Sequence, residues 1–166
     1  MQGRVPDIAN SAEKIQLARV SHVYYNHPDL KEFEKFAQDF GLVVESQTAD
    51  RLFYRGYGRD PVVYVASKST SSVKSFDGGA WVASTAEDFD KAARLPGAVL
   101  SYLTGFPGGG RRVTITAPGG SKIHVIHGQE ERIPDVKASQ ATRESLGPYN
   151  TSLKKDRKGK NTASTV

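Results

Sequence analysis

The chain has 166 residues, 37% of them hydrophobic and 25% charged, which is the composition of one globular domain. The absence of cysteine excludes disulfides, thiolate catalysis and Cys-ligated zinc. The net charge is +5, and the eight Lys and Arg against five Asp and Glu from Glu130 onward supply +3 of it. This basic end has no aromatic readers around it, so we expect a solvated tail and no nucleic-acid partner. No apolar run approaches the roughly 20 residues of a membrane span, so we expect no membrane association and a cytoplasmic location.

The first predicted strand, Ala18 to Tyr24, follows a lead-in that we expect to be disordered over residues 1–14. Read with a period of two, it places Val20, His22 and Tyr24 on one face. We expect this strand to be largely buried, so that His22 lies inside the protein.

A turn and a helix follow this strand. His27 stands beside Pro28 in the turn and is expected to be a surface or capping residue, while Asp29 suits the positive end of a helix dipole. The helix is predicted from one apolar stripe, formed by Leu30, Phe33, Phe36, Ala37 and Phe40. Gly41 stands where a C-cap belongs.

Three strands complete the first half, at about residues 42–47, 52–57 and 61–66, and a polar connector covers residues 67–75. The second half repeats this order. Its strand at residues 79–83 precedes a helix capped by Ser84 or Thr85, and strands follow at residues 99–103, 112–116 and 122–127. In the last strand, His124 and Ile126 share one face, and Val125 and His127 the other.

The two halves match residue by residue as well as in element order. Glu-Phe-Glu-Lys at residues 32–35 corresponds to Asp-Phe-Asp-Lys at residues 88–91, and Gly41 to Gly97, always 56 positions apart. A unit this small cannot bury its faces alone, so the two copies should pair. The sequence therefore predicts an α+β fold of paired βαβββ modules, at about residues 15–67 and 76–129, which form curved mixed sheets around a cavity with the helices outside. Residues 130–166 are predicted to be a linker or basic tail.

A tandem βαβββ repeat with a histidine on its opening strand resembles the vicinal oxygen chelate superfamily, which includes glyoxalase I, bleomycin-resistance proteins and extradiol dioxygenases. Three short motifs resemble more narrowly the N-terminal domain of fungal two-domain extradiol-dioxygenase-like proteins. They are Val20-Ser-His-Val-Tyr-Tyr, Tyr54-Arg-Gly-Tyr-Gly and Pro148-Tyr149-Asn150. The resemblance covers residues 15–150.

The resemblance implies a divalent metal such as Fe(II), held between the modules by residues of the first and fourth strands of each. These positions carry His22, Tyr64, Gly79 and His124 in this sequence. Only the two histidines are good ligands, and no carboxylate completes the facial triad that catalytic sites of this kind use. His22 and His124 are therefore the candidate metal ligands, and the cofactor is either such a metal or none. Candidate pocket residues are Tyr24, Tyr54, Tyr64 and Trp81, whose rings suit a small aromatic or phenolic ligand as well as a core.

Three functions remain open on these observations. In the first, the chain is the non-catalytic N-terminal part of an extradiol (catechol-type) ring-cleaving dioxygenase, whose metal-bearing domain is absent from this sequence. Alternatively, it is a stand-alone metal enzyme, dioxygenase-like or glyoxalase-like, that uses His22 and His124. As a third alternative, it is a metal-free binding protein or isomerase for a phenolic or polyketide-like compound, with one of these histidines as acid and base. A homodimer is compatible with all three.

Overall fold

A computed structural model describes residues 9–134 of the chain. The main folded unit comprises the described residues 9–56 and 60–132, and residues 57–59 and 133–134 fall outside it. Its elements, in chain order, are β1 (Leu17–His27), α1 (Leu30–Asp39), β2 (Val43–Gln47), β3 (Arg51–Arg55), β4 (Tyr64–Lys68), β5 (Ser75–Ala83), α2 (Ala86–Ala93), β6 (Val99–Tyr102), β7 (Arg111–Thr116) and β8 (Lys122–His127).

The eight strands form one mixed sheet in the order β2-β3-β4-β1-β5-β8-β7-β6. The opening strands of the two modules, β1 and β5, pair antiparallel at its centre, and each pairs in parallel with the last strand of its own module. The sheet curves but does not close on itself. The predicted α+β fold of two βαβββ modules is therefore confirmed, with the strands of both modules joined into a single sheet.

The two helices begin 56 residues apart, as the repeat predicts. Asp29 caps α1, and its side chain accepts hydrogen bonds from the backbone N–H groups of Lys31 and Glu32. Thr85 caps α2 and accepts from the N–H of Asp88. Each cap satisfies amide groups that the first helical turn would leave unpaired.

The core consists of three apolar clusters on the two faces of the sheet. One lies between α1 and the sheet around Phe33 and Tyr54, and a second lies between α2 and the sheet around Phe89 and Val125. The third covers the opposite face, which we call the concave face; it contains Tyr24, Phe53, Val62, Val65, Ala80, Leu103 and Ile126. Both helices therefore pack on one side of the sheet and leave the other for the candidate site.

Two expectations about burial were wrong. The first four residues of β1 are exposed, including Val20 at 58%, and the pairing of β1 with β5 shifts register between Val20 and His22. In α1, only Phe33 and Ala37 of the apolar stripe are buried, while Phe36 and Phe40 are 59% and 75% exposed. The stripe is wider than the surface that the sheet offers to the helix.

Some expectations fall outside the described residues. These include most of the lead-in, nearly all of the tail and the Pro148-Tyr149-Asn150 motif. At the described end of the lead-in, Lys91 in α2 donates a hydrogen bond of 2.8 Å to the carbonyl of Ala12. Within residues 9–134, neither helix is long and apolar enough to cross a membrane.

Candidate functional site

His22 lies in the middle of β1, only 1% exposed, on the concave face. Its Nδ1 atom is 2.9 Å from the hydroxyl of Ser21, and its Nε2 atom is 2.8 Å from the hydroxyl of Tyr24. Both ring nitrogens are thus engaged by hydroxyl groups of the same strand. The shift in register beside Val20 brings Ser21 and His22 inside together.

His124 lies two strands away, and Ala80 of β5 is the paired residue for both histidines. Its Nε2 atom is 2.9 Å from the carbonyl oxygen of Asp77, and its Nδ1 atom is 2.9 Å from the hydroxyl of Thr114. A carbonyl oxygen can only accept, so Nε2 must carry the proton and donate it. Nδ1 of the neutral ring is then the acceptor for the Thr114 hydroxyl, and His124 has no lone pair left in the plane of its ring.

The ring of Tyr24 bridges the two histidines. Its centroid is 4.8 Å from that of His22 and 4.6 Å from that of His124, in edge-on orientations that aromatic rings favour. Gly78 is the residue paired with Tyr24 on β5 and has no side chain to separate Tyr24 from His124. His22 and His124 therefore face the same side of the sheet, as predicted, but a phenol lies between them.

Arg112 is the site residue that reading the sequence missed. It pairs with Ile126 across β7 and β8, and its guanidinium carbon lies 5.4 Å from the centre of the Tyr24 ring. A period-two reading of β7 would have found it, because Arg112 and Thr114 must share a face with His124 and Ile126. An arginine on the inner face of a strand is unusual enough to mark a site.

The electrostatics of the concave face disfavour positive charge on the histidines. Burial, the neighbouring His124 and the Arg112 guanidinium lower the pKa of His22 to about 3. The pKa of His124 is also lowered, mainly by burial and further by Arg112, although its bond to Asp77 opposes the shift. Burial raises the pKa of Tyr24, with Arg112 acting in the opposite direction. At neutral pH the site therefore contains two neutral imidazoles, a neutral phenol and one guanidinium.

Phe106 covers this group of side chains from the loop between β6 and β7. Its ring centroid is 5.3 Å from that of His22 and 6.5 Å from that of Tyr24, and it also packs edge-on against Phe53. Side chains thus fill the space beside His22 where a ligand would otherwise meet the imidazole.

The other predicted pocket residues lie on the helix side of the sheet or away from the histidines. Tyr54 and Tyr64 pack beneath α1 with Phe33, and burial raises the pKa of Tyr54 to about 12. Trp81 and Gly79 lie on either side of Ala80 along β5 and share the face opposite it, where a Cβ on Gly79 would come within 2.8 Å of the Trp81 ring. Of the four aromatic candidates, only Tyr24 contacts His22 and His124 within the described residues.

The remaining two histidines also lie on the helix side. His127 is 5.9 Å from Phe89 of α2, as predicted from its alternation with His124. The expectation for His27 was wrong. β1 runs three residues beyond Tyr24, so that His27 is its last residue and is buried beneath α1, stacked on Phe33.

The donor set on the concave face does not fit a divalent metal ion. Both nitrogens of each imidazole already have partners, and the guanidinium of Arg112, whose charge acts on both rings, repels a cation. In the described part of the chain, no three His, Cys, Asp or Glu side chains group closely enough to hold a metal. A facial triad needs a carboxylate and two imidazoles with free lone pairs.

Comparison with solved structures identifies the architecture. A variant of homoprotocatechuate 2,3-dioxygenase from Brevibacterium fuscum superposes with a TM-score of 0.61 at 19% identity, over 77% of this chain and 37% of that one. The Mn(II)-bound glyoxalase from Novosphingobium aromaticivorans gives a TM-score of 0.62 at 18% identity, over 72% of this chain and 42% of its own. This chain therefore spans less than half the length of either protein.

Sequence comparison adds nothing to this result, since no protein-family model and no curated protein matches the chain significantly. Identities below 20% carry information about fold rather than chemistry. The element order, the central pairing of β1 with β5 and the superpositions agree with one another. The chain has the vicinal oxygen chelate fold.

Proposed function

We propose that this chain is a non-catalytic domain of an extradiol-type ring-cleaving dioxygenase, whose concave face is a structural core rather than a metal centre. The observation that carries the proposal is the bonding of His124, which donates from Nε2 to the Asp77 carbonyl and accepts at Nδ1 from Thr114. An imidazole with both nitrogens engaged in this way cannot bind a metal without breaking one of these bonds. His124 then serves to connect β5, β7 and β8, while His22 bonds to Ser21 and Tyr24 within β1.

Arg112 supports the same proposal from its charge. A half-buried cation beside two buried imidazoles raises the energy of any second cation placed there. Its guanidinium instead fits the concave face by lying against the electron-rich face of the Tyr24 ring. The arrangement stabilises the interior and disfavours a metal ion in it.

The length of the chain is compatible with a domain that works beside another. The dioxygenase to which it is similar is more than twice as long as the matched region, and a structure of that enzyme also contains the ligand HPCA.

On this chain, edge strand β6 exposes three apolar side chains, Val99, Leu100 and Tyr102. An edge strand with exposed apolar residues is a surface suited to further pairing. We therefore assign the domain a role in assembly, with ring cleavage carried out by a separate metal-bearing domain.

Metal analysis tests this proposal. The full chain is incubated with Fe(II) or Mn(II) without oxygen, desalted, and analysed for bound metal, beside His22→Ala and the control His127→Gln. We expect all three proteins to retain metal far below one ion per chain. One ion per wild-type chain, lost in His22→Ala and kept in His127→Gln, would replace the proposal by a metal enzyme.

A further inference from the structure

A cavity lies on the helix side of the sheet, away from His22 and His124. It has a volume of about 710 Å³ and opens between α1 and the ends of β1 and β4. We call it the α1 pocket. Its walls are mainly aromatic and apolar, formed by Tyr25, Phe33, Phe36, Phe40, Leu42 and Tyr64. A cavity of this size is in the range of small-molecule sites.

The two outer residues of the α1 stripe form the rim of this pocket. Phe36 and Phe40 stack with their ring centroids 5.8 Å apart, and Phe36 also approaches Phe33, at 6.0 Å. Large exposed aromatic rings that continue a buried aromatic cluster mark a binding surface more often than isolated exposed residues do. Tyr25 and Tyr64 stack nearly parallel at 5.5 Å, and Tyr64 stacks on Phe33 at 4.9 Å, so the lining rings form one continuous aromatic surface. Such a surface suits a flat ring.

One residue that lines the pocket, His27, has a buried polar atom without a partner. His27 lines the pocket and is only 3% exposed, and its Nε2 atom is 2.8 Å from the Tyr64 hydroxyl. Its Nδ1 atom is buried and has no hydrogen-bond partner within residues 9–134. Buried polar atoms without partners are rare in folded proteins, and each requires an explanation such as a bound molecule.

The hydrogen bond between His27 and Tyr64 determines whether Nδ1 carries a hydrogen. Burial and the nearby Lys74 lower the pKa of His27, so the ring carries one proton at neutral pH. If Nε2 donated to Tyr64, both Nδ1 and the Tyr64 hydroxyl hydrogen would lack partners. If the Tyr64 hydroxyl instead donates to Nε2, only Nδ1 lacks a partner. Burial raises the pKa of Tyr64, which keeps that hydroxyl protonated and able to donate. Nδ1 therefore carries the hydrogen, and this N–H has no acceptor among residues 9–134.

The charges around the pocket indicate which acceptor fits. The ammonium of Lys74 lines the same cavity and acts on His27 electrostatically. Of the two acidic lining residues, Asp29 uses its carboxylate to cap α1, while Glu32 is exposed at the rim. A negative group in the pocket would thus have the His27 N–H as a donor and the exposed ammonium of Lys74 as its nearest lining cation.

We propose that the α1 pocket binds a planar aromatic molecule bearing a carboxylate, with the ring against the aromatic surface and the carboxylate accepting from His27 Nδ1–H near Lys74. This site is separate from the concave face, so it does not depend on the function proposed above. We expect a small molecule rather than a protein partner, because the His27 donor needs one acceptor atom beside an aromatic surface. It does not need a broad matching surface.

The test uses the full chain at pH 7 with 2-naphthoate as the probe and 2-naphthamide as its uncharged counterpart, titrated by calorimetry. We expect saturable binding of one naphthoate per chain. Lys74→Gln should weaken naphthoate about two- to fivefold, as an exposed ion pair predicts, and leave naphthamide unchanged. Phe36→Ala should weaken both probes about tenfold through loss of ring contact. Both residues are exposed, so neither variant should compromise folding.

Matched controls separate the pocket from general effects. Lys35→Gln removes a charge from α1 outside the pocket, and Tyr102→Ala removes an exposed ring from β6; neither should alter the affinity. His27→Phe keeps a ring against Phe33 and should abolish binding. The proposal is overturned if wild type shows no saturable binding, or if the pocket variants and the controls bind alike. It is also overturned if sedimentation shows a dimer that Phe36→Ala dissociates, because a second copy would then occupy the pocket.

Discussion

Gly78 lies directly against the imidazole of His124, so closely that a Cβ atom on Gly78 would be 2.6 Å from His124 Nε2. Gly78 also stands 56 positions after His22, which is the spacing that relates the two helices. The first module thus has a histidine where the second has a glycine. The space left by that missing side chain is taken by His124 and by its bond to the neighbouring Asp77 carbonyl.

Substituting Gly78 by alanine should destabilise the protein strongly. The substitution adds a Cβ that would come within 2.7 Å of the Lys122 carbonyl as well, and it places alanine at a φ of +117°. Positive φ costs roughly 1–2 kcal/mol and overpacking about 1–3 kcal/mol, so we expect a loss of about 2–5 kcal/mol in urea unfolding. Gly120→Ala is the matched control, because Gly120 also has positive φ but open space around it. Equal losses in the two variants would show that His124 is not sterically confined.

Replacing Arg112 by methionine should raise the pKa of both His22 and His124. The guanidinium lowers both values, and methionine preserves much of its length without its charge. Imidazole proton shifts followed by NMR as the pH is varied measure the effect. Arg111→Met is the control, since the Arg111 guanidinium lies over Phe89 on the other side of the sheet. Unchanged titration of both histidines in Arg112→Met would show that the Arg112 charge does not affect their pKa values.

The stability of the protein should fall as the pH is lowered below about 6.5. His22 has a pKa of about 3 in the folded state against 6.5 unfolded, so the unfolded chain binds more protons between these values. Stability from this group is full above 6.5 and is lost progressively down to about 3, by on the order of 3–5 kcal/mol. His27 and His124 act in the same direction.

Urea unfolding at pH 7 and pH 5 isolates the histidine contribution. The carboxyl pKa values of Asp29 and Asp88 are lowered, so the stability that these groups contribute is lost at a lower pH. His22→Gln should show a smaller difference between the two pH values than wild type. A wild-type protein equally stable at both pH values would contradict the buried neutral state of His22.

Tyr24→Phe should cost about 1–3 kcal/mol of unfolding free energy, because it leaves His22 Nε2 buried without its hydroxyl partner. Tyr25→Phe is the neighbouring control. Tyr25 stacks on Tyr64 on the other side of the sheet, and within the described residues its hydroxyl forms no hydrogen bond. Chemical unfolding of both variants at pH 7 provides the comparison. A loss in the Tyr25 variant as large as that in the Tyr24 variant would mean that the bond to His22 contributes nothing.

The amino-acid sequence by itself determined the duplicated architecture. The repeat at a spacing of 56 positions predicted two equivalent helices and their flanking strands, and alternation correctly separated His124 from His127. These features depend on local periodicity and on burial of one face, both of which a sequence records directly.

Only the tertiary structure decided what the histidines do. Whether His124 has a free lone pair depends on Thr114, in the preceding strand, and on Asp77, which is 47 residues away along the chain and adjacent only once β5 and β8 are paired. His27 showed the same limit. Its neighbours in sequence predicted an exposed turn, but the extension of β1 beneath α1 buried it beside Tyr64. Hydrogen-bond partners and solvent exposure are set by pairings between distant segments, and no local pattern contains them.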